Sequence, residues 1–238
     1  MFSLCIPTID RYDSFLKENL KKYLENNLID EIIITDENGN DIDKINKDFN
    51  NNKLKLFRNE KILGPFFNKL QCCKLANNKW IALIDSDNFA DTEYFIKAEE
   101  YIKSNNLTDQ TILAPSFAKQ DFDYRDFQNK IIERNDIKNM LKTYRLFETF
   151  LNTGNYIINS YLIKNLNIVE QDEDIFKTPA DVLLFLILLF EQFDLKIHVI
   201  SDMHYTHSVH DGSVYRQTCN RYNKQIQYIN SRLQQLIT

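Results

Sequence analysis

Two carboxylates separated by one small residue, Asp85-Ser86-Asp87, close an apolar run, Trp80-Ile81-Ala82-Leu83-Ile84. Such a run reads as a strand buried on both faces, as in the middle of a parallel sheet. Open α/β sheets collect their ligands at the carboxyl ends of such strands. Asp-Ser-Asp then offers hard oxygen donors in a turn, a set that suits Mn2+ or Mg2+ also touching a diphosphate. The plainer reading is that Asp85 ends the strand and Asp87 caps the helix beginning near Thr92.

Other residues could join them. The stretch Glu31 to Thr35 is a β-branched strand followed by Asp36, whose carboxylate could accept a hydrogen bond from a base N–H or a ribose hydroxyl. Three of the four histidines fall within Met203-His204-Tyr205-Thr206-His207-Ser208-Val209-His210. Alternation along a strand puts Tyr205 and His207 on one face. Next comes Asp211-Gly212-Ser213-Val214-Tyr215-Arg216, a turn whose Arg216 could neutralise a leaving diphosphate, or an ordinary surface loop. Gly-x-Gly-x-x-Gly and Gly-Lys-Ser/Thr loops are both absent, so a nucleotide would have to be held through a metal on its diphosphate.

The elements that must position these groups alternate through the first half. Strands are expected at Phe2 to Ile6, Glu31 to Thr35, Lys53 to Phe57 and from Trp80. Helices are expected at Tyr12 to Asn26, Asp41 to Phe49, Pro65 to Leu75 and Thr92 to Lys103. That order predicts a doubly wound, mainly parallel sheet flanked by helices. Further on, Thr111 to Phe117, Asn155 to Ile158 and Lys196 to Ile200 read as strands. Ser160 to Asn165, Pro179 to Phe193 and Cys219 to Leu236 read as helices, and 120–147 has no clear pattern. No repeat or linker interrupts the chain. One domain over 1–238 is expected, with an N-terminal nucleotide half (1–95) and a C-terminal substrate half (96–238) that ends in the C-terminal helix.

The bulk properties agree. The chain has 238 residues, 43% hydrophobic, enough for a substantial core, and only four glycines and four prolines, so it is neither disordered nor a repeat protein. A net charge of -5 without a basic block argues against nucleic acid as a partner. The first seven residues read as a strand and not as a signal peptide. The most apolar run, Val182 to Phe190, is far short of the roughly 20 residues of a transmembrane segment. Cys5, Cys72, Cys73 and Cys219 read as reduced core thiols, which points to a cytoplasmic protein.

Several of these segments together resemble family 2 nucleotide-sugar glycosyltransferases. Phe2-Ser3-Leu4-Cys5-Ile6-Pro7-Thr8 is similar to their opening strand and Ile32-Ile33-Ile34-Thr35-Asp36 to their second. Gly64-Pro65 with Asn68-Lys69, followed by Trp80 to Asp87, is similar to their glycine-asparagine helix and Asp-x-Asp strand. The style also resembles small glycosyltransferases of large DNA viruses. The resemblance implies a GT-A fold and a UDP-sugar donor bound by Pro7, Thr8, Asp36, Gly64, Asn68, Lys69, Asp85, Ser86, Asp87 and Arg216. It implies Mn2+ (or Mg2+) held by Asp87 and His207 with Asp85 in the metal shell, His204 being the alternative histidine. Asp181, at the head of the apolar helix, is implied as catalytic base, although Ala180 replaces the first acid of the family's usual pair. The segment Asn152-Thr153-Gly154 resembles the small polar stretch that faces the sugar.

The expected activity is metal-dependent transfer of the sugar, with inversion, to a glycan, glycoprotein or lipid-linked acceptor. Alternatives are a retaining transferase, a nucleotidyltransferase, which would normally want a basic glycine-rich loop after the first strand, and a catalytically inactive sugar-nucleotide or glycan-binding module.

Overall fold

The computed structural model describes residues 1–120, 122–143, 155–169, 173–177, 181–208, 210–212 and 223–237. Four parallel strands form its first half: β1 (Phe2–Thr8), β2 (Ile29–Asp36), β3 (Leu54–Arg58) and β4 (Trp80–Leu83), in the order β3-β2-β1-β4. Between them lie α1 (Lys17–Glu25), entered through a π-helical turn at Tyr12–Leu16, then α2 (Asn40–Asp48) and α3 (Pro65–Lys74). Pro65 opens α3, where a missing N–H is harmless.

Helices cover both faces of the sheet, which is why its central strands are apolar throughout. Alternate residues of β4 serve opposite cores. Ile81 and Leu83 pack with Cys5, Phe66 and Leu70 on one side. Trp80 and Ala82, with Ile84 beyond the strand, pack with Leu4, Ile6 and Ile34 on the other.

After α4 (Thr92–Ser104) come β5 (Thr111–Lys119), the short β6 (Phe122–Asp123) and β7 (Ile131–Ile132), α5 (Arg134–Thr143), β8 (Ile157–Asn159) and α6 (Ser160–Asn165). They are followed by α7 (Glu173–Phe176), α8 (Asp181–Gln192), β9 (Lys196–Thr206) and α9 (Asn223–Ile237). The nine strands form one sheet in the order β3-β2-β1-β4-β8-β5-β9-β7, with β6 on β5. β8 lies antiparallel between β4 and β5, and β9 is parallel to β5. The strands β1 to β5 and β9 therefore all deliver their carboxyl ends to one edge. The fold is α/β with a mainly parallel central sheet, as the alternating pattern predicts; the antiparallel insertion is the departure.

Two local features matter for that edge. In α8 every residue from Leu184 to Phe190 is buried, so the apolar run is a core helix, and it carries Asp181 in its first turn. In β9 the register against β5 slips: Pro115 pairs with Ile200 but Phe117 with His204. Asp202, inside this bulge, has φ 60°, a left-handed conformation that residues with a Cβ rarely adopt. The strand runs to Thr206, which bridges Phe89 just beyond the Asp-Ser-Asp turn. Cys5, Cys72 and Cys73 are buried free thiols; Cys219 lies outside the described residues. Among the described residues no helix is long and apolar enough to cross a membrane.

Candidate active site

The Asp-Ser-Asp turn is fixed from three directions. The Ile84 N–H donates to the Cys5 carbonyl, and the Asp85 N–H donates to Asn155 Oδ1 at 3.0 Å. The Asn88 N–H closes the turn onto the Asp85 carbonyl at 2.9 Å. The helix that follows, α4, is capped by Asp91, whose carboxylate accepts from the Tyr94 N–H. Asp87 is thereby released from capping duty and keeps a carboxylate 21% exposed at the sheet edge.

Asp85 faces inward. Its Oδ1 lies 2.8 Å from Lys69 Nζ, and the same ammonium lies 2.8 Å from Asp181 Oδ2. One lysine of α3 thus joins the first acid of the turn to the acid at the head of α8, residues 96 positions apart in the sequence. Burial pushes the Asp85 carboxyl above the usual carboxylate range, with Asp87 and Asp181 adding to the push and Lys69 opposing it. For Lys69, burial works against the charge, but Asp181 and Asp85 together outweigh it and hold the ammonium well above its ordinary value. Lys69 and Asp181 line a cavity of about 10 Å3, room for roughly one water, together with Phe66, Leu83, Tyr156, Ile158 and Phe185.

Asp87 faces the other way. Its Oδ2 lies 2.9 Å from His210 Nε2 and 4.0 Å from Arg11 Nε. The His210 ring rests against Phe15 at 4.8 Å, and the Ser208 N–H donates to Asn88 Oδ1 at 3.0 Å. The chain beyond β9 is laid across the turn by these contacts. The histidine that reaches Asp87 is His210. The His207 ring packs against Phe122 and edge-on to Tyr205, and His204 stacks on Phe117 with Nδ1 3.1 Å from the Asp202 carbonyl. The family resemblance implies His207, with His204 as the alternative; here β9 carries a bulge at 201–203 and ends at Thr206. Among the described residues no cluster of three or more His, Cys, Asp or Glu side chains forms a ready metal cage.

Several of the other expected donor residues are buried and hold the frame together. Asp36 is fully buried, and its carboxylate accepts from the N–H groups of Asn38, Asp41 and Ile42, capping α2. Burial raises its carboxyl, against those backbone bonds. Asn68 ties α3 to β2, donating to the Thr35 carbonyl at 3.3 Å and accepting from Asn59 at 3.0 Å. Thr8 donates to Asp41 Oδ2 at 2.5 Å, and Pro7 is buried in β1. Ser86 is buried within the turn. Gly64 precedes α3 at φ 81°, and a Cβ there would meet the Lys177 backbone at 2.9 Å, so glycine is required twice over. Asn152, Thr153, Gly154 and Arg216, with Ala180, lie outside the described residues.

The sequence pattern assigns no role to Arg11 or Asp41 and ranks His207 and His204 ahead of His210; Asn155 ends the polar segment that resembles the sugar-facing stretch. Arg11 alone carried a legible signal, a cation just past the end of the first strand.

Three carboxylates, two cations and an imidazole thus converge where the parallel strands end, the arrangement expected of a site for an anionic nucleotide bridged by a cation. No curated protein matches the chain. Among solved structures, it is similar to S. aureus TarS 1-349 (17% identity, TM-score 0.69), covering 97% of this chain and 64% of that one. The TarS 1-349 structures in complex with UDP-GlcNAc and with UDP match at TM-scores of 0.72 and 0.66, with 17% and 14% identity, each covering 97% of this chain and 66% and 64% of the other. The chain therefore spans just under two thirds of the TarS 1-349 chains it matches, and at these identities the likeness speaks for the fold. The profile described as glycosyl transferase family 2 matches residues 3–160, about two thirds of the sequence, and the chain belongs to that family.

Proposed function

We propose that this protein transfers a sugar from a nucleoside-diphosphate sugar, a UDP-sugar, to an acceptor hydroxyl with inversion at the anomeric carbon. The observation that carries the reading is the Lys69 bridge, which sets the acid of α8 beside the Asp-Ser-Asp turn. Family membership and the UDP and UDP-GlcNAc complexes of the TarS structures support the donor class.

The residues at the turn suit a divalent cation. A carboxylate oxygen and an imidazole nitrogen that already meet at 2.9 Å are a mixed set that favours Mn2+ over Mg2+. Asp87 and His210 would hold the ion, with diphosphate and water oxygens completing its shell. When bound, the cation would act as a Lewis acid on the departing diphosphate. Asp181 takes the proton from the acceptor hydroxyl as it attacks the face opposite the leaving group. Lys69 fixes the Asp181 carboxylate in place, and the apolar wall of Phe66, Tyr156 and Phe185 keeps bulk water from it. The acceptor is a glycan, a glycoprotein or a lipid-linked sugar.

Asp181→Asn tests the assignment. It keeps the shape and removes the proton acceptor, so turnover of a UDP-sugar panel in Mn2+ should fall about 10²-fold or more, with donor affinity little changed. Proton NMR of the product gives the anomeric configuration. Retained configuration, or turnover that survives the substitution, would refute the base.

A further inference from the structure

We infer that Arg11 grips the diphosphate of the donor and, in the same act, fastens residues 210–212 beside it. The inference rests on the nucleoside-diphosphate reading above. It starts from the charges at the sheet edge. Lys69 is committed to Asp85 and Asp181 at 2.8 Å each, so its ammonium is not available to a phosphate. Arg11 is held differently. Its Nε lies 4.0 Å from Asp87, and its remaining contacts are neutral carbonyls: Nη1 to Asp10 at 3.3 Å and Nη2 to Gly212 at 2.5 Å. A permanent charge, its side chain only 15% exposed, thus sits at the turn, and among the described residues no carboxylate lies closer to it than 4.0 Å. Guanidinium presents a fork of donors matched to phosphoryl oxygens.

The backbone under Arg11 is built with unusual care. The Asp41 carboxylate accepts from the Arg11 N–H at 2.9 Å, from the Tyr12 N–H at 2.9 Å and from the Thr8 hydroxyl. Asp41 is in turn held through its own N–H by Asp36. Both carboxylates are fully buried, and among the described residues they accept from N–H and hydroxyl donors. Burying two such groups is expensive. Asp10, inside the bracket, adopts φ 52°, again the left-handed region. The bracket sets the direction in which Arg11 leaves β1. The Arg11 bond to the Gly212 carbonyl and the Phe15 contact with His210 then join this turn to 210–212.

Arg11→Met is the test, because it removes the fork and keeps the bulk. UDP and uridine are titrated in Mn2+ by ligand-observed NMR against wild type, Arg11→Met and Arg11→Lys, with melting curves to show that each is folded. UDP affinity should fall about tenfold or more in Arg11→Met, uridine affinity should stay within about twofold, and Arg11→Lys should recover part of the loss. Equal loss of UDP and uridine would mean that Arg11 only supports the turn, and unchanged UDP affinity would remove it from the donor site; either overturns the inference alone. Wild-type protein that does not prefer UDP to uridine would overturn the donor reading with it.

Discussion

Asp87 Oδ2 lies 2.9 Å from His210 Nε2 and 4.0 Å from Arg11 Nε, and the closer pairing decides which histidine to test. His210→Ala should weaken Mn2+ binding about tenfold or more, while His207→Ala and His204→Ala should leave it within about twofold, read by calorimetric titration of the three variants. Equal losses in all three, or a loss confined to His207→Ala, would refute His210 as the ligand. Of the acids brought together here, Asp85 and Asp87 stood out in the sequence because they end an apolar run, whereas Asp181 rested on the family resemblance. The resemblance favoured His207 over His210, and nothing in the strand pattern signals the bulge that precedes them. Asp41 was hidden for another reason. Its partners include the backbone N–H groups of Arg11 and Tyr12, which no residue type announces.

At the level of elements, the strands and helices of the first half follow their expected spans to within about two residues, because burial on both faces leaves strong apolar runs. The π-helical entry to α1, the short β6 and β7, and α5 were not legible; two-residue strands carry no periodicity. The strand that continued furthest past its expected end is β9, and it holds a titratable group of its own. His198 is buried, its Nδ1 2.9 Å from the Tyr101 hydroxyl. Burial holds the imidazole below its ordinary value, with Lys196 adding to the effect. A folded-state value below the unfolded one means the unfolded chain binds the extra proton first. The stability tied to the neutral ring is therefore complete above about pH 6.5 and is lost as the pH falls through the folded-state value. Urea midpoints measured from pH 7.5 to 5 should decline on the acid side in wild type and decline less in His198→Gln. An identical slope in both would show that the ring does not carry the effect.

Taken whole, the molecule is a single sheet whose halves are sewn together by the shortest of its central strands. The three residues of β8 complete the hydrogen bonding of β4 and β5 at once. A chain stopped after residue 110 would keep β1 to β4 and present β4 as a bare apolar edge, which is a template for association. Such a fragment should sediment as aggregates or oligomers where the full chain does not; a monodisperse, folded fragment would show that the first half stands without β8. The same insertion also sets a clock on the ribosome. β4 is finished about 74 residues before the segment that covers it is made, a gap of roughly 4 to 15 s at ordinary elongation rates. During that interval the nascent sheet carries an open flank, and the protein's yield in a cell then depends on what shields that flank while translation catches up.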